Sequence, residues 1–265
     1  MTLVVAHRGS SAEHAEHTLT AYRKAMADGA DALECDVRLT RDGVLVCVHD
    51  RRVDRTSDGR GRVSTLELAD LHQLDFSSWK GKDRDPLLEA SWEEADHEGG
   101  RVLTLEELVQ AAVDHDRPVQ LHIETKHPTR YGGLVEKALV ELLERFGLAR
   151  PLSRSVSPVT VMSFSSVSLR RIHVMAPSLP TVFLMQRVPV RYRDGSLPAR
   201  VGVAGPSLAI LRAHPGYVQR VHSQGNRLHV WTVDRQEDID YVLGLGVDAV
   251  ISNQPRRVLR TLDRV

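Results

Sequence analysis

The sequence contains few cysteines and no surplus of either charge. Its 265 residues include two cysteines, Cys35 and Cys47, and 35 basic residues balance 35 acidic ones. Two cysteines are too few for the disulfide framework of a small secreted domain. A chain without a basic surplus also lacks the charge that drives binding to a nucleic-acid backbone. We therefore expect reduced thiols and no nucleic-acid partner.

Long hydrophobic runs are missing as well. No apolar stretch approaches the ~18–20 residues that a helix needs to cross a bilayer. The first residues, MTLVVAHRG, lack the basic and apolar regions of a secretory signal. We expect a cytoplasmic protein without stable membrane insertion. Hydrophobic residues make up 42% of the chain and charged residues 26%, which is typical of a globular protein. The length suffices for one large domain over residues 1–265.

Short apolar runs alternate with amphipathic helical patterns along most of the chain. We count seven or eight strands, several of them apolar throughout, such as VLVCV, VTVM and PTVFL. Uninterrupted apolarity is typical of parallel strands that are covered on both faces. Eight such β/α units predict an α/β fold, a (β/α)8 TIM-type barrel, with a polar excursion at residues 51–103 inserted after the third strand. A doubly wound open sheet is the alternative, but HRGSS replaces the glycine-rich fingerprint that usually follows its first strand.

Polar residues fall at the ends of the predicted strands, where a barrel builds its active site. Glu34 and Asp36 lie two positions apart on one strand, so their side chains share a face, with Cα atoms about 6–7 Å apart. Carboxylates this close repel each other and raise each other's pKa unless a cation lies between them. Glu124 supplies a third oxygen ligand at another strand. Oxygen ligands alone suit Mg²⁺ or Ca²⁺.

Two histidines and two basic side chains lie at strand ends like these carboxylates. His7 and His49 each close a predicted strand, while Arg8 and Lys126 follow strand ends. Imidazoles on opposite sides of a phosphorus atom supply a base for the attacking oxygen and an acid for the leaving one. Guanidinium and ammonium groups balance the charge of a phosphodiester. The pattern therefore favours metal-assisted chemistry on a phosphate ester.

The motifs HRG, EHT, ECDVRLTRDGVLVCVHD, TLEEL, IETK, SFS, WTVD and GVDAVISNQP occur in this order over nearly the whole chain. Together they resemble the glycerophosphodiester phosphodiesterase family, whose fold is a (β/α)8 barrel with a small insertion after the third strand. The residues that match the family's functional positions are the catalytic histidines His7 and His49, the phosphate-binding Arg8, Lys126 near the phosphate, Trp231 on the glycerol side, and the carboxylates Glu34, Asp36 and Glu124 around one divalent cation.

The resemblance implies hydrolysis of a small-molecule glycerophosphodiester to an alcohol and glycerol 3-phosphate. We favour His7 as the base and His49 as the acid. The nucleophile is either water or the glycerol hydroxyl, and the cation either Mg²⁺ or Ca²⁺. The alcohol released and the oligomeric state are left open.

Three departures from the family's usual motifs concern the surroundings of these groups. His17 stands between Glu16 and Thr18 where the family usually has asparagine. Asp234 follows WTV where asparagine is common, and SNQP at residues 252–255 replaces a frequent TDxP. We expect Glu16, His17 and His122 to support the ligands and catalytic groups through hydrogen bonds.

Two other functions remain as alternatives. A phospholipase D-like enzyme acting on lysophospholipids would need an apolar mouth. The residues that would form such a patch are Trp79, Leu87, Leu88 and Trp92. A non-catalytic phosphate-binding barrel is disfavoured because such a protein should have lost a histidine or a carboxylate of the set.

Overall fold

The computed structural model describes residues 1–81, 100–129 and 132–265. The strands of these residues are β1 (Leu3–His7), β2 (Ala32–Leu39), β3 (Leu45–Cys47), β4 (Gln120–Thr125), β5 (Val159–Ser163), β6 (Thr181–Met185), β7 (Val203–Pro206), β8 (Arg227–Val230) and β9 (Ala249–Ser252). The α-helices are α1 (Leu19–Ala27), α2 (Leu68–Leu71), α3 (Leu105–Val113), α4 (Leu134–Arg145), α5 (Ser166–Met175), α6 (Leu208–Ala213), α7 (Tyr217–Ser223), α8 (Gln236–Gly244) and α9 (Pro255–Thr261).

Eight parallel strands close into a barrel in the order β1, β2, β4, β5, β6, β7, β8, β9, and β9 returns to pair with β1. The predicted (β/α)8 barrel is therefore confirmed, and the open doubly wound sheet is excluded. The register places His7 beside Glu34, and Asp36 beside Glu124. Because all eight strands run in one direction, their carboxyl ends meet at one mouth.

The third strand differs from the prediction because it lies outside the barrel. β3 pairs antiparallel with the end of β2, with Val37 opposite Cys47 and Leu39 opposite Leu45. Its residues are buried on both faces although the strand is antiparallel, so uninterrupted apolarity did not indicate its direction. The return of β3 along β2 matters for the site because it brings His49, the second residue after the strand, to the mouth of the barrel.

The two cysteines lie together in the hydrophobic core. Cys35 and Cys47 belong to the same cluster of buried residues, which also contains Tyr22 and Leu105. They are buried and free.

Local sequence explains where the helices begin. Thr18 caps α1 by accepting a hydrogen bond from the Ala21 amide, and Thr104 forms a capping box with Glu107 at α3. The short helices α6 and α9 were not predicted. Each helix buries only two or three residues. That number is too small for a helical period to be recognised in the sequence.

The described part of the excursion after β3 has a small core of its own. Val53, Val63, Leu71 and Phe76 pack with Val46 and Val48 in one cluster. Lys80 donates to the Ser11 carbonyl at 2.6 Å, so the excursion reaches the loop after β1. The predicted patch residues Leu87, Leu88 and Trp92 lie outside the described residues. In the part of the chain that the structure describes, every helix is too short or too polar to traverse a lipid bilayer.

Candidate active site

A cavity of about 250 Å³ opens at the carboxyl ends of the barrel strands. It is lined by His7, Arg8, Glu34, His49, Glu124, Lys126, Met162, Phe164, Leu184, Gln186, Trp231, Thr232 and Ile251. The structure therefore brings together the catalytic, substrate-binding and metal-ligand candidates from five segments, namely β1, β2, the residues after β3, β4 and the end of β8. Asp36 contacts two of the lining residues, Arg8 and Lys126. A larger groove of about 450 Å³ shares Gln186 with this cavity, but none of the residues lining it is a carboxylate.

The loop after β1 turns sharply to bring Arg8 into the mouth. Arg8 and Gly9 both have left-handed backbones, with φ of 58° and 80°. A Cβ on Gly9 would lie 2.6 Å from the Ala21 carbonyl carbon, so only glycine fits there. The Arg8 amide donates to the carboxylate of Glu34 at 3.1 Å. The Arg8 guanidinium pairs with Glu16 at 3.0 Å and with Asp36 at 3.1 Å.

Three carboxylates converge below this arginine. Glu34, Asp36 and Glu124 each offer an oxygen within 4.8 Å of the others, and their exposed fractions are only 2%, 1% and 7%. Burial and the neighbouring Asp36 carboxylate raise the pKa of Glu124 to about 8. The same two causes raise the pKa of Glu34 well above its usual range. The mutual repulsion expected from the sequence is thus present for two of the three groups.

Asp36 behaves differently because donors surround it. Burial would raise its pKa, but a hydrogen bond from His17 and the charges of Lys126 and Arg8 hold that pKa well below the usual range. His17 Nε2 lies 3.0 Å from the Asp36 carboxylate, and Lys126 Nζ lies 3.2 Å from its other oxygen. Lys126 also contacts Glu124 at 2.8 Å. The ammonium group therefore neutralises carboxylates here and lies at the edge of the cavity.

The carboxylate cluster fits a hard divalent cation. Its donors are all oxygens, they converge, and two of them have raised pKa values because their charges are incompletely compensated. A divalent cation removes that electrostatic cost, and an all-oxygen set is the kind that Mg²⁺ and Ca²⁺ prefer.

His7 is held by the end of β9. Its Nδ1 lies 2.7 Å from the Asn253 side-chain oxygen, and its Nε2 lies 3.9 Å from Glu34. Burial and the charge of Arg8 lower its pKa to about 3. The ring is therefore neutral at pH 7, with Nε2 directed towards the carboxylates.

His49 lies across the mouth and has a charged partner. Its Nδ1 is 2.7 Å from the carboxylate of Asp50, which in turn accepts from Arg55 at 2.6 Å. Arg38 donates twice to the His49 carbonyl, at 3.0 and 2.7 Å, and so fixes the backbone of this residue. Burial lowers the pKa of His49 from its ordinary value.

The predicted supporting residues occupy three different environments. Glu16 binds both Arg8 and Arg55, and the Arg55 hydrogen bond and Arg8 charge outweigh burial and lower its pKa to about 2. His17 holds Asp36 as described. His122 instead lies in the barrel interior, stacked on His229 with ring centroids 5.4 Å apart, and neither of its ring nitrogens has a hydrogen-bond partner among the described residues.

Aromatic side chains form another part of the cavity wall. Trp231 meets Phe164 edge to face at 5.4 Å between centroids and donates its indole N–H to the Gly205 carbonyl at 2.7 Å. Lys126 Nζ lies 5.9 Å from the Phe164 ring centre. Trp231 and Phe164 therefore give the cavity an aromatic surface next to Lys126.

Sequence reasoning missed several residues that shape the site. Arg38 was not singled out, although its position two residues after Asp36 places it on the same strand face. Asn253 and Asp234 were noted only as departures from a motif. Their contact with His7 depends on the approach of β1, β8 and β9, which motif spacing does not reveal.

Comparison with known proteins gives a consistent result. The profile of the Glycerophosphoryl diester phosphodiesterase family matches residues 7–257. The chain is 48% identical over 263 residues to a probable glycerophosphodiester phosphodiesterase 1 of Mycobacterium tuberculosis, covering 98% of this chain and 92% of that one. It is 36% identical over 260 residues to the glycerophosphodiester phosphodiesterase of Bacillus subtilis, covering 96% and 84%.

Solved structures share the fold. A phosphodiesterase of Oleispira antarctica in complex with the product sn-glycerol-3-phosphate superposes with a TM-score of 0.84 at 24% identity, covering 99% of this chain and 97% of that one. A putative glycerophosphoryl diester phosphodiesterase from Silicibacter pomeroyi gives a TM-score of 0.82 at 24% identity, covering 99% and 93%.

Proposed function

Because the chain belongs to the glycerophosphoryl diester phosphodiesterase family, we propose that it hydrolyses glycerophosphodiesters to an alcohol and glycerol 3-phosphate. The observation that carries this proposal is the convergence of three buried carboxylates, two histidines and two cationic side chains on one cavity of about 250 Å³. The curated relatives at 48% and 36% identity support the same activity.

Arg8 and Lys126 are the proposed phosphate-binding groups. Both are charged at pH 7, and both line the cavity beside the carboxylates. Positioned cations stabilise the charge that develops on phosphoryl oxygens in the transition state. Both groups are held by two carboxylates, Arg8 by Glu16 and Asp36, and Lys126 by Asp36 and Glu124.

Glu34, Asp36 and Glu124 would hold one divalent cation, Mg²⁺ or Ca²⁺. When bound, such a cation supplies Lewis-acid polarisation of a phosphoryl oxygen. The carboxylates must be ionised to bind it, so the raised pKa of Glu124 implies that binding releases a proton below about pH 8.

The two histidines differ in a way that supports their assigned roles. His7 has a neutral amide as its Nδ1 partner and a lowered pKa, as a base that must be unprotonated requires. His49 has the carboxylate of Asp50 as its Nδ1 partner, which opposes the lowering of its pKa by burial and would stabilise the ring while it carries the proton that an acid donates. We therefore assign proton removal from the nucleophile, either water or the glycerol hydroxyl, to His7, and protonation of the leaving alkoxide to His49.

A metal-supplemented activity screen tests the proposal. Purified protein, stripped with EDTA and resupplied with Mg²⁺ or Ca²⁺, is assayed for glycerol 3-phosphate release from glycerophosphocholine, glycerophosphoethanolamine and glycerophosphoglycerol. We expect turnover of at least one substrate that EDTA abolishes and one cation restores. Full activity after exhaustive chelation would rule out the metal role of the carboxylates.

A lysophospholipid in the same screen separates the alternatives. Turnover of the lysophospholipid alone would favour the phospholipase D-like function. Binding of glycerol 3-phosphate without turnover of any substrate would favour the non-catalytic barrel.

A further inference from the structure

A chain of hydrogen bonds runs behind His7 across three neighbouring strands. His7 ends β1, Asn253 follows β9, and Asp234 follows β8. The Asn253 side-chain oxygen lies 2.7 Å from His7 Nδ1, and its side-chain nitrogen donates to Asp234 at 2.7 Å. The Asn253 backbone amide donates to the other Asp234 oxygen at 2.8 Å. Asn253 is therefore held by the same carboxylate through its backbone and its side chain.

The hydrogen bonds that link Asp234, Asn253 and His7 can be directed in only one way. An ionised carboxylate accepts hydrogen bonds and cannot donate them, so the Asn253 amide must turn its nitrogen towards Asp234. Its oxygen then faces His7. Because that oxygen only accepts, the hydrogen in the contact belongs to His7 Nδ1.

The hydrogen on Nδ1 determines the state of the other ring nitrogen of His7, Nε2. A neutral imidazole with hydrogen on Nδ1 carries its lone pair on Nε2. Nε2 is the atom that faces Glu34 at 3.9 Å and lies in the cavity. Asp234 thus selects, through Asn253, the tautomer in which His7 presents an acceptor to the reacting groups.

Asp234 and Asn253 are also two of the positions at which this chain departs from the usual family motifs. Each carries the side-chain type common at the other position, and the two side chains are in direct contact.

We propose that Asp234 and Asn253 form a positioning relay that fixes the orientation and tautomer of His7. The inference rests on the proposed role of His7 as base, but the relay itself is a structural arrangement that can be measured without activity. Neither Asp234 nor Asn253 is assigned contact with the substrate.

Single and double exchanges of the two side chains test the relay. Asp234→Asn lets residue 234 donate as well as accept, so the Asn253 amide is free to flip. Asn253→Asp places a second carboxylate against Asp234. We expect each single variant to lower kcat about 10–100-fold, the usual cost of losing an orienting partner, with little change in KM. The double variant D234N/N253D restores one carboxylate, one amide and an acceptor against His7, so we expect kcat to recover to within about 3-fold of the original protein.

A spectroscopic measurement separates the relay from simple destabilisation. The ring nitrogens of His7, identified by loss of their signals in His7→Gln, are observed by ¹⁵N NMR at pH 8. We expect the Nδ1-protonated tautomer in the original protein and in D234N/N253D, and a mixture in D234N. The control is Asp248→Asn, which removes a carboxylate that bonds His222 at the opposite end of β9, and we expect it to leave kcat and the His7 signals unchanged.

The outcomes are distinct. Unchanged kcat and tautomer in both single variants, or a double variant as impaired as N253D, would overturn the relay. Absence of phosphodiester turnover in the original protein would instead overturn the proposed function, while the NMR signals would still test whether Asp234 sets the His7 tautomer.

Discussion

The mouth of the barrel has two unlike halves. The charged half comes from β1, β2, β4 and the segment after β3. It contains His7, Arg8, Glu34, His49, Glu124 and Lys126, with Asp36 in contact with Arg8 and Lys126. The mostly apolar half comes from β5, β6, β8, β9 and the residues that follow them. It contains Met162, Phe164, Leu184, Trp231 and Ile251, with Gln186 and Thr232 as its polar members. The same strand geometry therefore presents buried ions on one side and hydrocarbon on the other.

The halves differ in what keeps their side chains in place. In the charged half, ion pairs and hydrogen bonds hold the side chains, as Arg8 and Lys126 hold Asp36 and the Arg8 backbone amide binds Glu34. Such groups are costly to bury and become more costly when a partner is removed. In the apolar half, Trp231 and Phe164 are held by packing and by one indole hydrogen bond. We infer that the charged half performs the chemistry and that the apolar half binds the part of the substrate that does not react.

The largest effect is expected in the charged half, at the proposed acid. His49→Ala should lower kcat on glycerophosphocholine ~10²–10⁴-fold, because the leaving alkoxide loses its proton donor. His214→Ala is the matched control, since His214 is exposed and lines the larger groove rather than the active-site cavity. Near-normal kcat in the His49 variant would show that another group protonates the leaving oxygen.

The next effect concerns Arg8. Arg8→Ala should lower kcat ~10²-fold, comparable to losing one donor that stabilises transition-state charge. Arg8→Lys should recover only part of this loss, because an ammonium group cannot pair with Glu16 and Asp36 in the way that the planar guanidinium does. Equal kcat in the lysine variant and the original protein would show that charge alone suffices.

A smaller effect, of a different kind, is expected in the apolar half. Trp231→Ala should raise KM about 10-fold with less change in kcat, since about 1.4 kcal/mol of lost apolar contact corresponds to a tenfold change in affinity. Trp231→Phe keeps a ring against Phe164, so its KM should lie between those of Trp231→Ala and the original protein. A fall in kcat as large as that of His49→Ala would contradict the division of the mouth into two halves.

The smallest effect on activity is expected for Glu16, where stability should respond to pH instead. Its pKa of about 2 lies below the ordinary value of 4.5, so its stabilising contribution is full above about pH 4.5 and is lost as the pH falls towards 2. Glu16→Gln should reduce the free energy of unfolding by about 1–3 kcal/mol at pH 7. Urea titrations between pH 7 and pH 3.5 should show the difference from the original protein shrinking with acidification. A constant difference over that range would show that the Glu16 charge does not stabilise the fold.

Much of the architecture could be predicted from the sequence. Apolar runs alternating with helical patterns predicted the barrel, and the ordered motifs predicted the phosphodiesterase family; the structure and the family match confirm both. The spacing of Glu34 and Asp36 also predicted a shared face, which the cluster with Glu124 bears out. The metal, the two histidine roles and the single-domain assignment stay predictions.

Other features could not be predicted because they depend on contacts between distant segments. The direction of β3 depends on its pairing with β2, since buried strands look alike whether parallel or antiparallel. His122 follows the same alternation as Glu124, but the stack with His229 across the barrel places it in the interior. In the sequence, Asp234 and Asn253 are only two separate departures from the family's usual motifs, and their contact is seen only in the structure.

The sequence by itself determined which chemical groups the protein has and at which strand ends they stand. Strand periodicity is a local property, so the alternation of apolar and polar residues is readable without the fold. The tertiary structure decided which of those groups meet, and with what charge. Closure of the barrel brings β9 to β1 and β8 to β9, and only that approach gives His7 its neutral partner Asn253, whereas the carboxylate beside His49 belongs to the next residue, Asp50.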